Sequence, residues 1–352
     1  MMNLDRQLEI QHEALRNERD LFIATLEKNP RYSSLSRAYR DSFSSYLRNP
    51  GKQFRSLFFI LSCSSFLPGE NGSFPYYSAA LAIDMMHDFI LIHDDLVDGA
   101  HRRRGEPTVD SKIYELQAGK KEQARHGALI LGDLLYSLSL HLFTSGVRSS
   151  ARGIDAVSRI CEAAVETARG QLREFTLQEC TWKDVEEESI YEVYDLKTGY
   201  YSFAAPMAVG ALLGGAEEQV VSSLEEAGLY LSRAFQIRDD YLDIVSSCKV
   251  AGKRPHGDIV RGVKTIPLLY LYNNVSGTDR PFIHQILEEK KLCEGTVDRF
   301  LCIVEDSKLR EYVHECEEIY LQHAFALFTS HIPECLEKKQ LFHLCETLFT
   351  RE

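Results

Sequence analysis

Residues 85–98 read MMHDFILIHDDLVD, and this stretch decides the fold class. Apolar residues within it and just before it recur at helical spacing, as at Ile83, Met86 and Ile90. A second apolar stretch with a similar ending, GLYLSRAFQIRDDYLD, occupies residues 228–243. Apolar residues recur at helical spacing along nearly the whole chain, whereas stretches that alternate strictly between apolar and polar residues are hard to find. The sequence therefore predicts an all-α protein.

The composition is that of a globular protein and argues against several functional classes. The chain has 352 residues, of which 44% are hydrophobic and 26% charged, so it can bury a large core. Its net charge of -12 at pH 7 argues against a broad nucleic-acid interface and against an anchor on anionic membranes. The nine cysteines are scattered without a C-x-x-C pair, which predicts reduced thiols and neither a disulfide framework nor a zinc site.

We expect one domain over residues 1–352, with roughly ten or more helices, because no Pro/Ser-rich linker and no shift in composition divides the chain. The longest unbroken apolar run, residues 203–216, is too short to cross a bilayer. The N-terminal segment is charged from Asp5 onward and lacks the apolar core of a signal peptide. These features predict a cytoplasmic protein without stable membrane insertion.

Each of the two apolar stretches ends in a D-D-x-x-D motif. Asp94 and Asp98, and likewise Asp239 and Asp243, are four residues apart and therefore lie on one face of a helix. Like charges at this spacing repel, so a cation is expected between them. Hard oxygen ligands suit Mg²⁺, which bridges carboxylates to substrate phosphates. A solvated acidic surface is the alternative, and the second copy of the motif makes it the weaker one.

Basic residues occur near both motifs, where a diphosphate would need them. They are Lys52, Arg55, Arg103, Arg104, Lys253 and Lys264. Guanidinium groups bind phosphate oxygens bidentately, and a helix start such as the one after Gly51 favours anions. Each residue alone is commonly a solvent-facing charge. Their order relative to the aspartates makes a diphosphate site the better interpretation.

The ordered motifs resemble those of the trans-polyprenyl diphosphate synthases, in particular the short-chain farnesyl and geranylgeranyl diphosphate synthases. The motifs are GKQFR, HDDLVD with RRRGEPT, GQ at 170–171, KTG at 197–199, FQIRDDYLD, and GKRPHGD with KTIP. The resemblance implies the isoprenoid synthase fold, an antiparallel helical bundle around a central cavity, with the two aspartate helices opposed at its mouth. It also implies a homodimer and an Mg²⁺-dependent, head-to-tail condensation of isopentenyl diphosphate with an allylic diphosphate.

The resemblance further implies roles for individual residues. About three Mg²⁺ ions per active site would be bound by Asp94, Asp95, Asp98, Asp239, Asp240 and Asp243. The allylic diphosphate would be held by Arg103, Lys197, Lys253 and Lys264. Isopentenyl diphosphate would be held by Lys52, Arg55, His87 and Arg104. Thr198 and Gln236 would line the region where the carbocation forms, and the released diphosphate would take the final proton.

The first basic motif departs from the family pattern at two positions. Gln53 and Ser56 stand where the family usually has arginine and proline. Because Lys52 and Arg55 are retained, we expect a less rigid helix start rather than loss of activity.

Product length is expected to depend on the helix turn before the first aspartate motif. One turn advances about 5.4 Å, close to one extended isoprene unit, so a bulky side chain there can stop chain growth. The resemblance implies a short product from the bulky Phe89, and it favours C20 geranylgeranyl over C15 farnesyl diphosphate because Ile90 stands where farnesyl synthases often have a second aromatic residue. Met85 and Tyr136 could also form part of this floor, as could Met86.

Three other classes share some of these motifs. A class I terpene cyclase would have the acidic motif without Lys52, Arg55 and Arg104. A non-catalytic subunit of a heteromeric prenyl synthase usually loses one aspartate motif, and both are intact here. A tail-to-tail, squalene-type synthase would lack the first basic motif.

Overall fold

The computed structural model describes residues 4–67, 74–117, 119–245 and 256–349. Helices dominate these residues, which also contain a short hairpin of β1 (Arg102–Arg103) and β2 (Glu106–Pro107). This confirms the predicted all-α class. The helices are α1 (Leu4–Lys28), α2 (Pro30–Ser33), α3 (Arg37–Leu47), α4 (Phe54–Ser64), α5 (Tyr77–Asp98), α6 (Val109–Leu116), α7 (Lys121–Val147), α8 (Gly153–Gln178), α9 (Glu187–Val193), α10 (Ala205–Gly214), α11 (Glu218–Val245), α12 (Gly257–Arg261), α13 (Ile266–Asn274), α14 (Arg280–Glu289), α15 (Val297–Asp306), α16 (Leu309–His331) and α17 (Leu336–Phe349).

The chain divides into two compact units. Unit 1 comprises Met1–Arg159, Pro206–Val221 and Pro333–Glu352, and unit 2 comprises Ile160–Ala205 and Ser222–Ile332. Each unit contains its own cluster of buried apolar side chains. The single domain expected from the sequence stays a prediction.

The core of unit 1 forms where α5 packs against α7. Leu81 and Met85 of α5 are almost fully buried there. Gly132 of α7 permits the close approach, because a Cβ at this position would overlap the imidazole of His93. Helix α5 ends at Asp98 and is capped by Gly99, whose left-handed backbone (φ 63°) leaves the first aspartate motif in the last helical turn.

The core of unit 2 includes one face of α11. Ile237 and Ile244 are buried beside Trp182 and Leu268. Their spacing places Asp240 on the same buried face of α11, whereas Asp239 and Asp243 lie on another face. Helix α13 begins within the KTIP sequence. There the Thr265 hydroxyl accepts a hydrogen bond from the Leu268 N–H at 3.3 Å and caps the helix.

A π-helical segment, Tyr194–Ala204, joins α9 to α10. It packs closely against α8 at Gly170, where a Cβ would overlap the backbone of Lys197. The structure therefore brings the GQ and KTG sequences together. π-Helical geometry is rare in proteins and is frequent at functional sites.

Among the described residues, α7 is the helix whose length and composition would allow it to cross a bilayer. A third of its most apolar stretch of 18 residues is buried in the protein. The core helix of a protein without membrane spans passes the same test, so the expected lack of membrane insertion stays a prediction.

Candidate active site

The first aspartate motif occupies the last turn of α5 in unit 1. Asp98 is exposed and Asp94 is half-buried, and they share one face of the helix as predicted. Asp95 is 2% exposed, and its Oδ1 accepts a hydrogen bond from Arg103 Nε at 2.8 Å. Burial raises the pKa of Asp95, and Arg103 opposes that shift. Asp95 Oδ2 is buried without a hydrogen-bond partner among the residues that the structure describes.

Arg103 and Arg104 lie in the β1–β2 hairpin, which turns at Arg104 and Gly105 with φ of 51° and 80°. Positive φ at both residues is the geometry of a type I′ turn, and the left-handed backbone costs a non-glycine residue about 1–3 kcal/mol. Arg104 Nη1 donates to the Asn49 carbonyl at 2.8 Å, and Arg104 Nη2 would lie 2.6 Å from a Cβ placed on Gly51. The structure therefore places the RRGEPT loop against the start of the GKQFR motif.

Positive charges gather around His87. Burial and the charges of Arg55, Arg104 and Arg103 lower the pKa of His87 well below its usual value, so the imidazole is neutral at pH 7. Arg55 is only 7% exposed, whereas Lys52 is exposed. We call Arg55, His87 and Arg104 the basic cluster. The structure thus brings together three of the four residues predicted to hold isopentenyl diphosphate.

A buried ion pair next to the basic cluster was not predicted from the sequence. Asp88, 2% exposed, accepts a hydrogen bond from Arg19 Nη1 at 3.1 Å, and its Oδ1 lies 3.5 Å from Arg104 Nη1. The Tyr46 hydroxyl donates to the backbone oxygen of Asp88 at 3.1 Å. Arg19 lies on α1 outside any motif, so only the folded chain reveals its contact with α5.

The two departures in the first basic motif have structural consequences. Gln53 has a left-handed backbone (φ 53°) directly before α4. The Ser56 hydroxyl donates to the Ala80 carbonyl at 2.6 Å and so connects α4 to α5. A proline at this position could not make that hydrogen bond, so Ser56 adds a contact where we expected only a less rigid helix start.

The predicted chain-length residues lie one turn before the motif on α5. Phe89 and Ile90 are half-buried. The centre of the Phe89 ring lies 4.7 Å from that of Tyr136 on α7 and 5.7 Å from that of His93. Met85 is almost fully buried. Phe89 and Tyr136 therefore form an aromatic pair between two helices of unit 1.

The second aspartate motif lies near the end of α11 in unit 2. Asp239 is exposed, whereas Asp240 is 5% exposed. Both oxygens of Asp240 accept hydrogen bonds, Oδ1 from Gln236 Nε2 at 2.8 Å and Oδ2 from the hydroxyl of Tyr194. Burial raises the pKa of Asp240 well above its usual value, whereas the hydrogen bonds from Tyr194 and Gln236 favour the ionised form. The metal-ligand role predicted for Asp240 stays a prediction. Its side chain also binds the side chains of Tyr194 and Gln236.

Asp243 is half-buried and contacts the start of α12. Its Oδ2 accepts a hydrogen bond from the Asp258 N–H at 3.1 Å, and its backbone oxygen accepts one from the His256 N–H at 3.2 Å. Burial, followed by the negative charge of Asp243, raises the pKa of Asp258 to about 7. Asp258 was missed in the sequence analysis, although the HGD sequence that contains it belongs to the GKRPHGD motif.

The predicted diphosphate lysines of unit 2 differ in their surroundings. Lys197 Nζ lies 2.9 Å from both carboxylate oxygens of Glu174, which also accepts a hydrogen bond from Gln171 Nε2 at 3.0 Å. Glu174 was not predicted, although it follows the GQ sequence by three residues. Lys264 is 4% exposed, with its ammonium 4.1 Å from the centre of the Trp182 ring, so it makes a cation–π contact. Lys253 lies outside the described residues.

Comparison with solved structures defines the class of this fold. A polyprenyl synthase from Caulobacter crescentus, solved with calcium and isoprenyl diphosphate, matches 99% of this chain over 98% of its own, with a TM-score of 0.82 and 20% identity. A geranylgeranyl pyrophosphate synthase from Corynebacterium glutamicum, solved with isoprenyl diphosphate and magnesium, matches over the full length of both chains with a TM-score of 0.81 and 21% identity. The predicted isoprenoid synthase fold is confirmed.

Sequence comparison gives the family. The polyprenyl synthetase family model matches residues 36–304. A short chain isoprenyl diphosphate synthase from Methanothermobacter thermautotrophicus is 32% identical over 75% of each chain. A geranylfarnesyl diphosphate synthase from Aeropyrum pernix is 30% identical over 84% of this chain and 88% of its own. The chain belongs to the polyprenyl synthetase family, so it is a prenyltransferase, as the motifs predicted.

Proposed function

We propose that the protein condenses isopentenyl diphosphate head-to-tail with an allylic diphosphate to form a short-chain trans-polyprenyl diphosphate. One observation carries this proposal: Arg104 packs against Gly51, which joins the RRGEPT loop to the GKQFR motif beside the first aspartate motif. A terpene cyclase binds one diphosphate and has no use for this second cationic region. The basic cluster supports a reaction between two diphosphate substrates.

Divalent cations fit the carboxylates at the ends of α5 and α11. Asp94 and Asp98, and likewise Asp239 and Asp243, present hard oxygen atoms at helical spacing, as Mg²⁺ prefers. In the described part of the chain, no three Asp, Glu, His or Cys side chains group closely enough to hold an ion by themselves. Mg²⁺ commonly uses one or two carboxylates together with water and substrate phosphate. Bound Mg²⁺ would stabilise the negative charge of the diphosphate leaving group.

The side chains of unit 1 suit the binding of isopentenyl diphosphate. Arg55 and Arg104 supply positive charge and N–H donors that match phosphate oxygens. The neutral His87 can donate one N–H to the same group without adding charge. Because Asn49 and Asp88 already contact Arg104, its guanidinium is oriented before substrate binds.

In unit 2, Lys197 and the Thr198–Gln236 pair suit the allylic substrate. Glu174 holds the Lys197 ammonium by two contacts at 2.9 Å, which keeps the side chain oriented. Thr198 Oγ1 lies 3.3 Å from Gln236 Oε1. Oxygen dipoles of this kind stabilise positive charge that develops on the allylic carbon.

We propose geranylgeranyl diphosphate as the main product. The Phe89–Tyr136 pair supports a limit on chain growth one turn before the aspartate motif. The names of the relatives include both geranylgeranyl and geranylfarnesyl diphosphate synthases. Sizing of the reaction products distinguishes a C20 from a C25 product.

We also propose that the protein acts as a homodimer. On α7, Leu129 and Ile130 are 44% and 62% exposed, and contact with a second copy would bury them. Size-exclusion chromatography with light scattering would give twice the chain mass for a dimer, whereas a monomer mass would contradict this proposal. A cytoplasmic location stays a prediction.

The decisive experiment supplies purified protein with Mg²⁺, isopentenyl diphosphate and either dimethylallyl, geranyl or farnesyl diphosphate, and then sizes the dephosphorylated products. A prenyl synthase consumes isopentenyl diphosphate and releases one diphosphate per unit added. A cyclase would convert the allylic diphosphate to a hydrocarbon without consuming isopentenyl diphosphate. A non-catalytic subunit would leave all substrates unchanged.

A further inference from the structure

Tyr194, the first residue of the π-helical segment, contacts two other elements of unit 2 through its hydroxyl. The side chain is 4% exposed. The Ile266 N–H at the start of α13 donates to the hydroxyl oxygen at 3.1 Å. A phenol has one proton, and the backbone N–H must be the donor in its bond. The Tyr194 proton is therefore available to Asp240, which its hydroxyl contacts.

Asp240 also contacts Gln236, which lies one turn earlier on α11. Asp240 Oδ1 accepts a hydrogen bond from Gln236 Nε2 at 2.8 Å. An amide whose nitrogen faces a carboxylate must direct its oxygen elsewhere. Gln236 Oε1 accordingly lies 3.3 Å from Thr198 Oγ1.

We propose that Tyr194 is a positioning residue that, through Asp240, fixes the orientation of the Gln236 amide. With this orientation an acceptor oxygen, rather than an N–H group, faces Thr198 and the region where positive charge develops on the substrate. The opposite orientation would present the positive end of the amide dipole and would oppose ionisation. This inference rests on the proposed function, which gives Thr198 and Gln236 their role.

The first test is Tyr194→Phe, which removes the hydroxyl and keeps the ring. Asp240 then loses one donor and holds the Gln236 amide less firmly. We expect kcat to fall about tenfold, while the KM values for both substrates stay within about twofold. The matched control is Tyr191→Phe, since Tyr191 is a buried tyrosine one turn earlier whose ring contacts Tyr194. We expect this control to keep wild-type kcat.

A double-mutant cycle separates positioning from general destabilisation. If Tyr194 acts through Gln236, the double variant Tyr194→Phe/Gln236→Ala should be no slower than Gln236→Ala alone. Independent, multiplying effects on kcat would overturn the inference. A wild-type kcat in Tyr194→Phe would also overturn it, whether or not the variant loses thermal stability.

Asp240→Asn gives a second test that keeps the volume of the side chain. The amide introduced by this substitution can accept from Tyr194 and donate to Gln236, which would reverse the Gln236 amide. We expect kcat to fall at least as far as in Tyr194→Phe and to stay low at saturating Mg²⁺. Recovery of kcat at high Mg²⁺ would show that Asp240 acts as a metal ligand instead, and this result would overturn the inference. A wild-type protein that forms no prenyl product would instead reject the proposed function.

Discussion

The middle aspartates of the two motifs, Asp95 in unit 1 and Asp240 in unit 2, are buried to a similar degree and stabilised in different ways. Asp95 is paired with a cation, because Arg103 Nη2 lies 2.7 Å from its Oδ1. Asp240 instead accepts hydrogen bonds from the neutral side chains of Tyr194 and Gln236. A buried carboxylate requires compensation, and either a counter-ion or hydrogen-bond donors can supply it.

This difference affects what each motif can do when substrate binds. Arg103 is itself a predicted diphosphate ligand, so Asp95 and an incoming anion compete for the same guanidinium. Tyr194 and Gln236 carry no charge, so an anion does not draw them away from Asp240.

The largest expected effect comes from removing the outer aspartate of either motif. Asp94→Ala and Asp239→Ala each delete a proposed Mg²⁺ ligand, so turnover should fall by about two to three orders of magnitude. Steady-state assays measure the loss, and circular dichroism checks that helix content is kept. Glu122→Ala, an exposed acid on α7, is the control. Near-normal turnover in either aspartate variant would contradict the metal assignment for that motif.

The next largest effect is expected for Arg104, which lies in the hairpin turn. Arg104→Ala should raise the KM for isopentenyl diphosphate about 10- to 100-fold, because a charged donor is lost. Gly51→Ala should act in the same direction, since its Cβ would displace the Arg104 guanidinium. Arg31→Ala, at an exposed arginine on α2, should have little effect and serves as the control. A change confined to the KM of the allylic substrate would reverse the roles of Arg103 and Arg104.

The sequence predicted the all-α class and the helices that carry the two aspartate motifs, and the catalytic roles of the motif residues stay predictions. Helical periodicity predicted α5 and α11, and the resemblance to the prenyl synthases implied that Arg55, His87 and Arg104 lie together. These predictions need only the spacing of apolar residues and the types and order of the motif residues. Both can be read directly from the sequence.

The contacts that orient these residues were not predictable from spacing. Arg19 reaches Asp88 over 69 positions, and Tyr194 reaches Asp240 over 46. Such pairs depend on which helix faces pack together, and no periodicity encodes that. Lys264 shows the same limit, because its cation–π contact with Trp182 depends on the loop before α13.

A smaller and qualitative effect is expected for product length. Phe89→Ala removes one ring of the Phe89–Tyr136 pair and should lengthen the main product by about one isoprene unit, since one helix turn spans about that length. Tyr136→Ala should act in the same direction. Chromatographic sizing of the dephosphorylated products measures the change, with Phe175→Ala, an exposed ring elsewhere, as control. An unchanged distribution in both variants would reject this pair as the floor.

The smallest expected effect is a pH dependence of stability that differs between the two regions. The pKa of His87 is lowered well below its usual value by burial and three arginines. Below about pH 6.5 the unfolded chain therefore binds a proton at this residue that the folded chain does not, and the free energy of unfolding falls as pH falls. The pKa of His256 is also lowered by burial, but Asp243 opposes that shift.

Urea unfolding at pH 7 and pH 5.5 tests this contrast in wild type, His87→Gln and His256→Gln. Between these pH values, wild type should lose about 1 kcal/mol more stability than His87→Gln, because the variant has no imidazole to protonate on unfolding. The corresponding difference for His256→Gln should be smaller, since a carboxylate beside His256 partly offsets its burial. Equal pH dependence in wild type and His87→Gln would mean that His87 takes up its proton over the same pH range in the folded and unfolded states, which would contradict the lowered pKa.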